Sequence, residues 1–179
     1  MSSVDLNNIS SQVAVFLQIE RTTLQDVWLA WTVIEPPAAG LLALSGDTPA
    51  FDKLDANIAE ARDASKRDLM RYADLSAGFS LIILQHCGNN TLRLLASLIF
   101  DIIRKQHEHI TERTLSRASV DRLRQNCIRN REEAVQLMRS GDGAAVERFW
   151  HVHLERMRDL VLSAYKAPAT FDVLDQPPR

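Results

Sequence analysis

Residues 141–160 read GDGAAVERFWHVHLERMRDL, and they show what kind of structure the chain forms. Gly141 followed by Asp142 is a common signal for one helix that ends and another that begins. Beyond this signal, apolar side chains recur every three or four residues, which is the spacing of a helix with one buried face. We expect that face to carry Val146, Phe149, Trp150, His153, Met157 and Leu160. The stretch therefore predicts a long amphipathic helix that packs into a core.

The same breaks and the same apolar spacing run through the rest of the chain. Further signals for helix ends lie at residues 46–49 and at residues 88–89. Pro36 and Pro37 interrupt a helix that begins after Thr23, and we expect them to kink this helix without ending its apolar pattern. Alternating β-branched runs are absent from the sequence. We therefore predict an all-α fold, an antiparallel bundle of six or seven helices joined by short loops.

The composition fits one soluble domain with its own core. The chain has 179 residues, of which 46% are hydrophobic and 25% are charged, and its formal net charge is −2. A sequence pI near 6.2 argues against binding of nucleic acid through the overall charge. Cys87 and Cys127 lack the spacing of a metal site, and residues 1–11 lack the features of a signal peptide. The longest uncharged stretch, Leu75–Leu92, contains Gln, His, Gly and Asn, so we expect a cytoplasmic protein without a membrane span.

The histidines and the familiar catalytic motifs give no enzyme signature. His107 and His109 are two residues apart, as are His151 and His153, and such pairs on a helix point to opposite faces. A helical metal clamp needs a spacing of three or four residues instead. The sequence also contains no glycine-rich phosphate loop, no nucleophile elbow and no H-E-x-x-H motif. We therefore expect a protein that is not an enzyme.

Arg131 lies on an apolar helix face, between Cys127 and Val135. An unpaired charge among hydrophobic side chains is costly, so we expect a polar or anionic partner there. In one interpretation the long stem carries the charge to the edge of the core, or the charge pairs with an interior acid such as Glu35 or Asp74. In the other interpretation Arg131 binds an anionic ligand. The residue pattern leaves both interpretations open.

Ser76 and Ser80 are small polar residues on a second apolar face, four positions apart. Their hydroxyl groups either bond to backbone carbonyls one turn earlier or line a cavity. A small helical enzyme, which we keep as a rival interpretation, would use His153 with Arg131 and one of these serines as the nucleophile.

Three stretches of the sequence, in this order and without gaps inside each, resemble one known family. They are TLQDVWLAWTVIEPPAA at residues 23–39, FSLIILQHCGN at residues 79–89 and GDGAAVERFWHVHL at residues 141–154. Together they resemble the FCD domain, which is the C-terminal effector-binding domain of FadR-type regulators in the GntR family. The resemblance extends over about residues 6–164, nearly the whole chain.

This resemblance implies an antiparallel helical bundle around a central ligand cavity, dimeric, which controls an attached winged-helix DNA-reading domain. It divides the chain into an N-terminal helix and linker region (1–22), an FCD-like effector-binding and dimerisation domain (23–166) and a loosely ordered tail (167–179). Residues 1–22 are too few for a winged helix and lack a basic recognition helix. We therefore expect that domain to be absent from this chain, and DNA to be contacted only through it.

The sequence departs from the metal site that the resemblance implies for many family members. There, an Asp and a His lie four residues apart, and one His lies on each of the last two helices; Ser76, Ser80, Arg131 and His153 hold these positions here. One imidazole and two hydroxyls are too few strong ligands for a transition metal. We therefore expect no metal and no other cofactor, with Arg131 holding a small organic acid or acyl-type effector. The predicted effector-binding residues are Arg131, His153, Ser76, Ser80, Trp31, Phe79 and Cys127.

Two further functions stay open on the sequence alone. One is a purely structural dimerisation module whose pocket is filled by side chains, and the other is a metal-binding sensor that uses His153 with another histidine, such as His86 or His109. A pocket of about 300 Å³ or more would separate a sensor from a filled module. The early helices carry a surplus of large apolar residues, which favours a homodimer. These residues are Phe16, Leu17, Trp28 and Trp31.

Overall fold

The computed structural model describes residues 6–110 and 117–164, and these residues form seven α-helices and no β-strand. The helices are α1 (Leu6–Ile19), α2 (Leu24–Ser45), α3 (Thr48–Arg67), α4 (Leu69–His86), α5 (Asn90–Ile110), α6 (Arg117–Arg139) and α7 (Gly143–Ala164). The prediction of an all-α bundle of six or seven helices is confirmed. The predicted tail, residues 167–179, lies outside the described residues, and the division of the chain into three regions stays a prediction.

The helix ends follow from local side-chain and backbone bonds. The Thr23 hydroxyl accepts a hydrogen bond from the Asp26 backbone nitrogen at 3.2 Å, and the Asp26 carboxylate accepts one from the Thr23 backbone nitrogen at 2.9 Å. This reciprocal pair starts α2 by satisfying backbone donors that have no partner inside the helix. Asp142 accepts in the same way from the Ala145 nitrogen at 2.9 Å and starts α7. Just before it, Gly141 has a φ of 75°, a left-handed conformation that glycine adopts without strain.

Helix α2 lies at the centre of the bundle, where it packs against α4, α5, α6 and α7. It continues through Pro36 and Pro37, as the sequence pattern predicts. It meets α7 at Gly40 and Gly143, where a Cβ atom built on Gly143 would lie 2.7 Å from the Gly40 carbonyl oxygen. The lack of a side chain at both positions lets the two backbones come this close. This contact fixes where along α2 the helix α7 begins.

The apolar character of α2 is explained by burial. Among the described residues, α2 is the one helix that is long and apolar enough to cross a membrane, but 61% of its apolar window is buried inside the bundle. Trp28 and Trp31 belong to this core. The expectation that they contribute to a dimer surface is therefore wrong, because the bundle itself covers them. Of the four large apolar residues singled out for dimer contacts, Phe16 on α1 is exposed (61%) and Leu17 is half-buried.

The inner face of α7 largely matches its predicted pattern. Val146, Trp150 and His153 are buried, and Phe149 and Met157 are half-buried against the core. Leu160, which the pattern places on the same face, is exposed. Its neighbour along the chain, Val161, holds the buried position at that turn.

Replacement of Trp150 by Ala should lower the free energy of unfolding by ~3–5 kcal/mol, because Trp150 is buried and its ring packs on Phe79 at 5.4 Å between centroids. Urea unfolding followed by far-ultraviolet circular dichroism measures this change. Val152→Ala, on the exposed side of the same helix, is the matched control and should cost far less. Equal losses for the two variants would show that Trp150 does not support the core.

Candidate functional site

Arg131 on α6 is a buried cation whose guanidinium group is held mainly by α4. Its Nη1 donates a hydrogen bond to the Ser76 hydroxyl at 3.1 Å, and its guanidinium carbon lies 5.3 Å from the centre of the Phe79 ring. The residue is 9% exposed, so its long side chain does not carry the charge to the edge of the core. Ser76 and Phe79 lie three residues apart on α4, on one side of that helix, so both can contact the guanidinium group.

Glu35 is the interior acid opposite this cation. It is fully buried (0% exposed), and burial raises its pKa to about 7, while nearby Ser80, Trp150 and Arg131 each lower it by a smaller amount. Ser80 and Trp150 lie near the carboxylate but do not reach hydrogen-bond geometry. Both Glu35 oxygens, Trp150 Nε1 and Arg131 Nε lack a hydrogen bond among the described residues. Arg131 and Glu35 therefore attract each other through the core without direct contact, and Asp74, the other acid considered, is exposed.

His153 on α7 lies beside this charge pair and is neutral. Its ring packs on Trp150 at 4.7 Å between centroids, and its Nδ1 lies 2.9 Å from Asn130 Nδ2. Because an amide nitrogen only donates, Nδ1 accepts this bond and Nε2 carries the proton. Burial lowers the pKa of His153 to about 3, with the positive charges of Arg131 and Arg156 adding to the effect.

Cys127 and Tyr72 close the site on the side of α6 and α4. The Cys127 sulfur lies 3.5 Å from the sulfur of Met157, and the residue is buried. Burial raises the pKa of both the Cys127 thiol and the Tyr72 hydroxyl, although the Arg131 charge opposes this in each case. Both groups are therefore uncharged at neutral pH, and they leave the local charge to Arg131 and Glu35.

The structure brings together most of the predicted site residues. We call Glu35, Ser76, Ser80, Arg131, Trp150 and His153, with Phe79, the buried polar cluster. Trp31 is separate from it, since its ring packs on Phe100 of α5 at 5.4 Å between centroids. Helical spacing correctly buries Trp31, and the helix that covers its ring is α5; its role in binding an effector stays a prediction.

A cleft adjoins the buried polar cluster along α6 and α7. Its volume is about 400 Å³, and His153 is the one predicted site residue in its wall. The cleft is lined by Asn130, Ala145, Arg148, Phe149, Val152, His153 and Arg156. Arg148 and Arg156 are exposed and form no ion pair with a described carboxylate. The arrangement suits an organic anion, because half-buried apolar groups lie between two cations.

The residues at the family's metal positions do not fit a metal ion. The Arg131 guanidinium, itself a cation, bonds to Ser76, and His153 is the one imidazole of the set. Among the described residues, no group of three or more His, Cys, Asp or Glu side chains is arranged to hold a metal. His86, named in the metal alternative, instead contacts Asp47 at 2.7 Å and Lys53 at 3.2 Å. The side chains of His107 and His109 lie outside the described part of the chain.

The sequence does not predict several residues of the site. Asn130 and Trp150 contact His153, and Arg148 and Arg156 flank the cleft. Exposed arginines and an asparagine on helices are too common to mark a site, and Trp150 is assigned to the core by its spacing. The carboxylate inside the apolar run of α2 was the one usable signal, and it correctly indicates Glu35 as an interior acid.

Acidification should destabilise the protein through His153. The folded state resists protonation of this ring (pKa about 3), whereas an unfolded histidine takes up a proton near its ordinary pKa of 6.5. The unfolded state therefore gains stability as the pH falls from about 6.5 toward 3, which costs the fold ~2 kcal/mol by pH 5. Urea unfolding of the protein and of His153→Gln at pH 7 and pH 5 measures this, since the other titrating groups are common to both chains. An identical loss in the two proteins would contradict a buried, neutral His153.

Comparison with known proteins agrees with the helical fold. The chain is similar to a solved structure described as a GntR protein of Streptococcus agalactiae, with a TM-score of 0.60 and 15% sequence identity, and this likeness shows the fold. The match covers 88% of this chain and 61% of that structure, so the chain spans less than two thirds of the protein that it resembles. The curated proteins give no match. The family model of the FCD domain matches residues 26–156, most of the chain, and the chain therefore belongs to the FCD family.

Proposed function

We propose that this chain is the effector-binding domain of a GntR-type transcription regulator of the FadR subfamily, that it is not an enzyme, and that it takes a small organic acid or acyl compound without a metal. Its membership of the FCD family and the likeness to a GntR structure support the regulatory part. The regulator acts in the cytoplasm, away from membranes, and contacts DNA through a winged-helix domain outside this chain.

The observation that carries the choice of ligand is the state of Arg131. Its guanidinium is buried, its Nε has no hydrogen bond among the described residues, and the opposite acid, Glu35, does not touch it. A guanidinium group can bind a carboxylate through two parallel hydrogen bonds, which supplies both charge and orientation. Ser76 and Ser80 lie close by as hydroxyl partners, and Phe79 supplies an apolar contact.

The cleft supports a sensor over a filled dimerisation module. Its volume of about 400 Å³ exceeds the ~300 Å³ at which sites for small organic ligands begin. Phe149 and Val152 offer contacts for the apolar part of a ligand, and Arg148 and Arg156 make the surroundings positive. His153 is part of the cleft wall and is also close enough to Arg131 to sense its charge, so the cleft and the buried polar cluster share this residue.

Arg131→Ala should abolish the rise in melting temperature that organic anions produce. Hexanoate, benzoate and hexanoyl coenzyme A are suitable probes, and differential scanning fluorimetry measures the rise. Without ligand the variant should be about as stable as the original chain, because loss of the cation leaves Glu35 protonated rather than charged. Arg129→Ala is the matched control, since Arg129 is exposed on the same helix. A rise that persists in Arg131→Ala but not in Arg156→Ala would move the anion to the cleft and refute the role of Arg131.

An enzymatic function has one specific test. A helical hydrolase would use His153 as the base with Ser76 or Ser80 as the nucleophile, but a pKa of about 3 makes this ring a weak base. Turnover of an ester by the purified domain, lost on His153→Ala, would overturn the non-enzymatic proposal.

A homodimer is part of the same proposal. Helix α2 carries four exposed apolar side chains that lie within about one third of its circumference. They are Leu29, Val33, Leu41 and Leu44. Exposed apolar side chains in a continuous row are a feature of interfaces, and a symmetric dimer commonly buries about 1,600 Å².

Val33→Glu combined with Leu44→Glu should convert the dimer to a monomer, because a paired interface would bury two unpartnered carboxylates on each side. Sedimentation at micromolar concentration measures the change, and circular dichroism checks that the fold is kept. Gln125→Glu, exposed on α6, adds a charge on a helix other than α2 and should leave the dimer intact. A monomer in the original chain would refute the dimer directly.

A further inference from the structure

The buried carboxyl of Glu35 lies near groups from three other helices. Ser80 on α4, Trp150 on α7 and the charge of Arg131 on α6 lie near this carboxyl, and each of them favours its charged form. From α5, the Phe100 ring packs on Trp31, one turn earlier on α2. His153, next to Trp150 on α7, is neutral and does not titrate near pH 7. The charge of the site near neutral pH therefore depends on Arg131 and Glu35.

The two protonation states of Glu35 give the site two different chemistries. When Glu35 is ionised, its charge offsets that of Arg131, and its oxygens only accept hydrogen bonds. When Glu35 is protonated, the Arg131 charge is uncompensated, and the carboxyl group adds a donor beside Trp150 Nε1, which has no hydrogen bond among the described residues. The first state repels an anion, whereas the second binds one. Burial holds the pKa of Glu35 at about 7, so both states are populated at neutral pH.

We propose that Glu35 controls anion binding in the buried polar cluster, so that an organic anion binds at Arg131 together with one proton that Glu35 takes up. The bond that forms is the O–H bond of the Glu35 carboxyl, and the proton comes from a buffer acid, which is left as its conjugate base; the anion replaces the Glu35 carboxylate as the counter-charge of Arg131. The net ligand is a weak acid, anion plus proton, rather than an anion alone. This inference rests on the proposed function, since it assumes that the anion binds at Arg131.

Calorimetric titration with hexanoate at pH 7.5 tests the proton uptake directly. The binding heat measured in Tris and in bis-Tris, neither of which is an anion, differs in proportion to the protons exchanged with the buffer. We expect an uptake of about 0.8 proton for each hexanoate bound, the ionised share of Glu35 at that pH. The dissociation constant should rise about fivefold between pH 7 and pH 8, and the rise should approach tenfold per pH unit at higher pH, because ionised Glu35 then opposes binding.

Glu35→Gln keeps the size of the side chain and fixes it in the uncharged state. The variant should bind hexanoate without proton uptake, with an affinity that stays constant from pH 6 to pH 8 and is about tenfold higher than that of the original chain at pH 8. Glu133→Gln, at an exposed carboxylate two residues from Arg131, is the matched control and should behave like the original chain.

The outcomes separate this inference from the function on which it rests. Hexanoate binding without proton uptake and without the pH dependence would overturn the role of Glu35 and leave an anion site at Arg131 intact. No binding by the original chain at pH 6 or by Glu35→Gln at pH 8 would overturn the anion site itself and the inference with it. If Glu35→Gln does not fold, the proton uptake of the original chain still decides the question.

Discussion

The Arg131 charge inside the core is the constraint around which the polar groups of the site are arranged. A buried cation is tolerated only where its surroundings compensate it, and here compensation comes from three other helices. Helix α4 supplies the Ser76 hydroxyl and the Phe79 ring, and α2 supplies the carboxyl of Glu35. Helix α7 supplies His153, which stays neutral and so adds no second positive charge. Polar groups from four helices therefore lie together at this one place, which restricts how these helices can shift relative to one another.

The close contact of Gly40 with Gly143 sets how far α7 is shifted along α2, and so which residues of the two helices lie near each other. Helices α2 and α7 run antiparallel. Glu35, which precedes Gly40 on α2, and Trp150, which follows Gly143 on α7, therefore lie in the same direction from the glycine contact. A shift of α7 by one residue would move Trp150 by 1.5 Å and turn it by 100°, away from the carboxyl. Two missing side chains thereby help to place Trp150 near an ionisable group about one and a half turns from Gly40 along α2.

The sequence predicts the helices and part of the cluster because both leave local signals. Helix ends depend on caps and glycines a few residues away, and Arg131, Ser76 and Phe79 stand on inner faces by spacing alone. Spacing identifies which face of a helix is buried, but not which helix covers it, so it places Trp31 in the core without indicating that Phe100 of α5 packs on its ring. The cleft has no sequence signal at all, since Arg156 resembles any exposed arginine until α6 lies beside it.

An arginine at the position where the family resemblance implies a metal ligand would change how the positive charge of the site is controlled. A metal ion can leave its site, so its charge is removable, whereas a guanidinium group stays charged and covalently attached to α6. A permanent charge in the core needs a counter-charge that is present before any ligand arrives. A carboxyl without direct contact meets this need best, because a tight ion pair would leave Arg131 no capacity for a ligand. The lack of a direct contact between Glu35 and Arg131 therefore fits a site in which the carboxylate of a ligand can replace that of Glu35 as the counter-charge of Arg131.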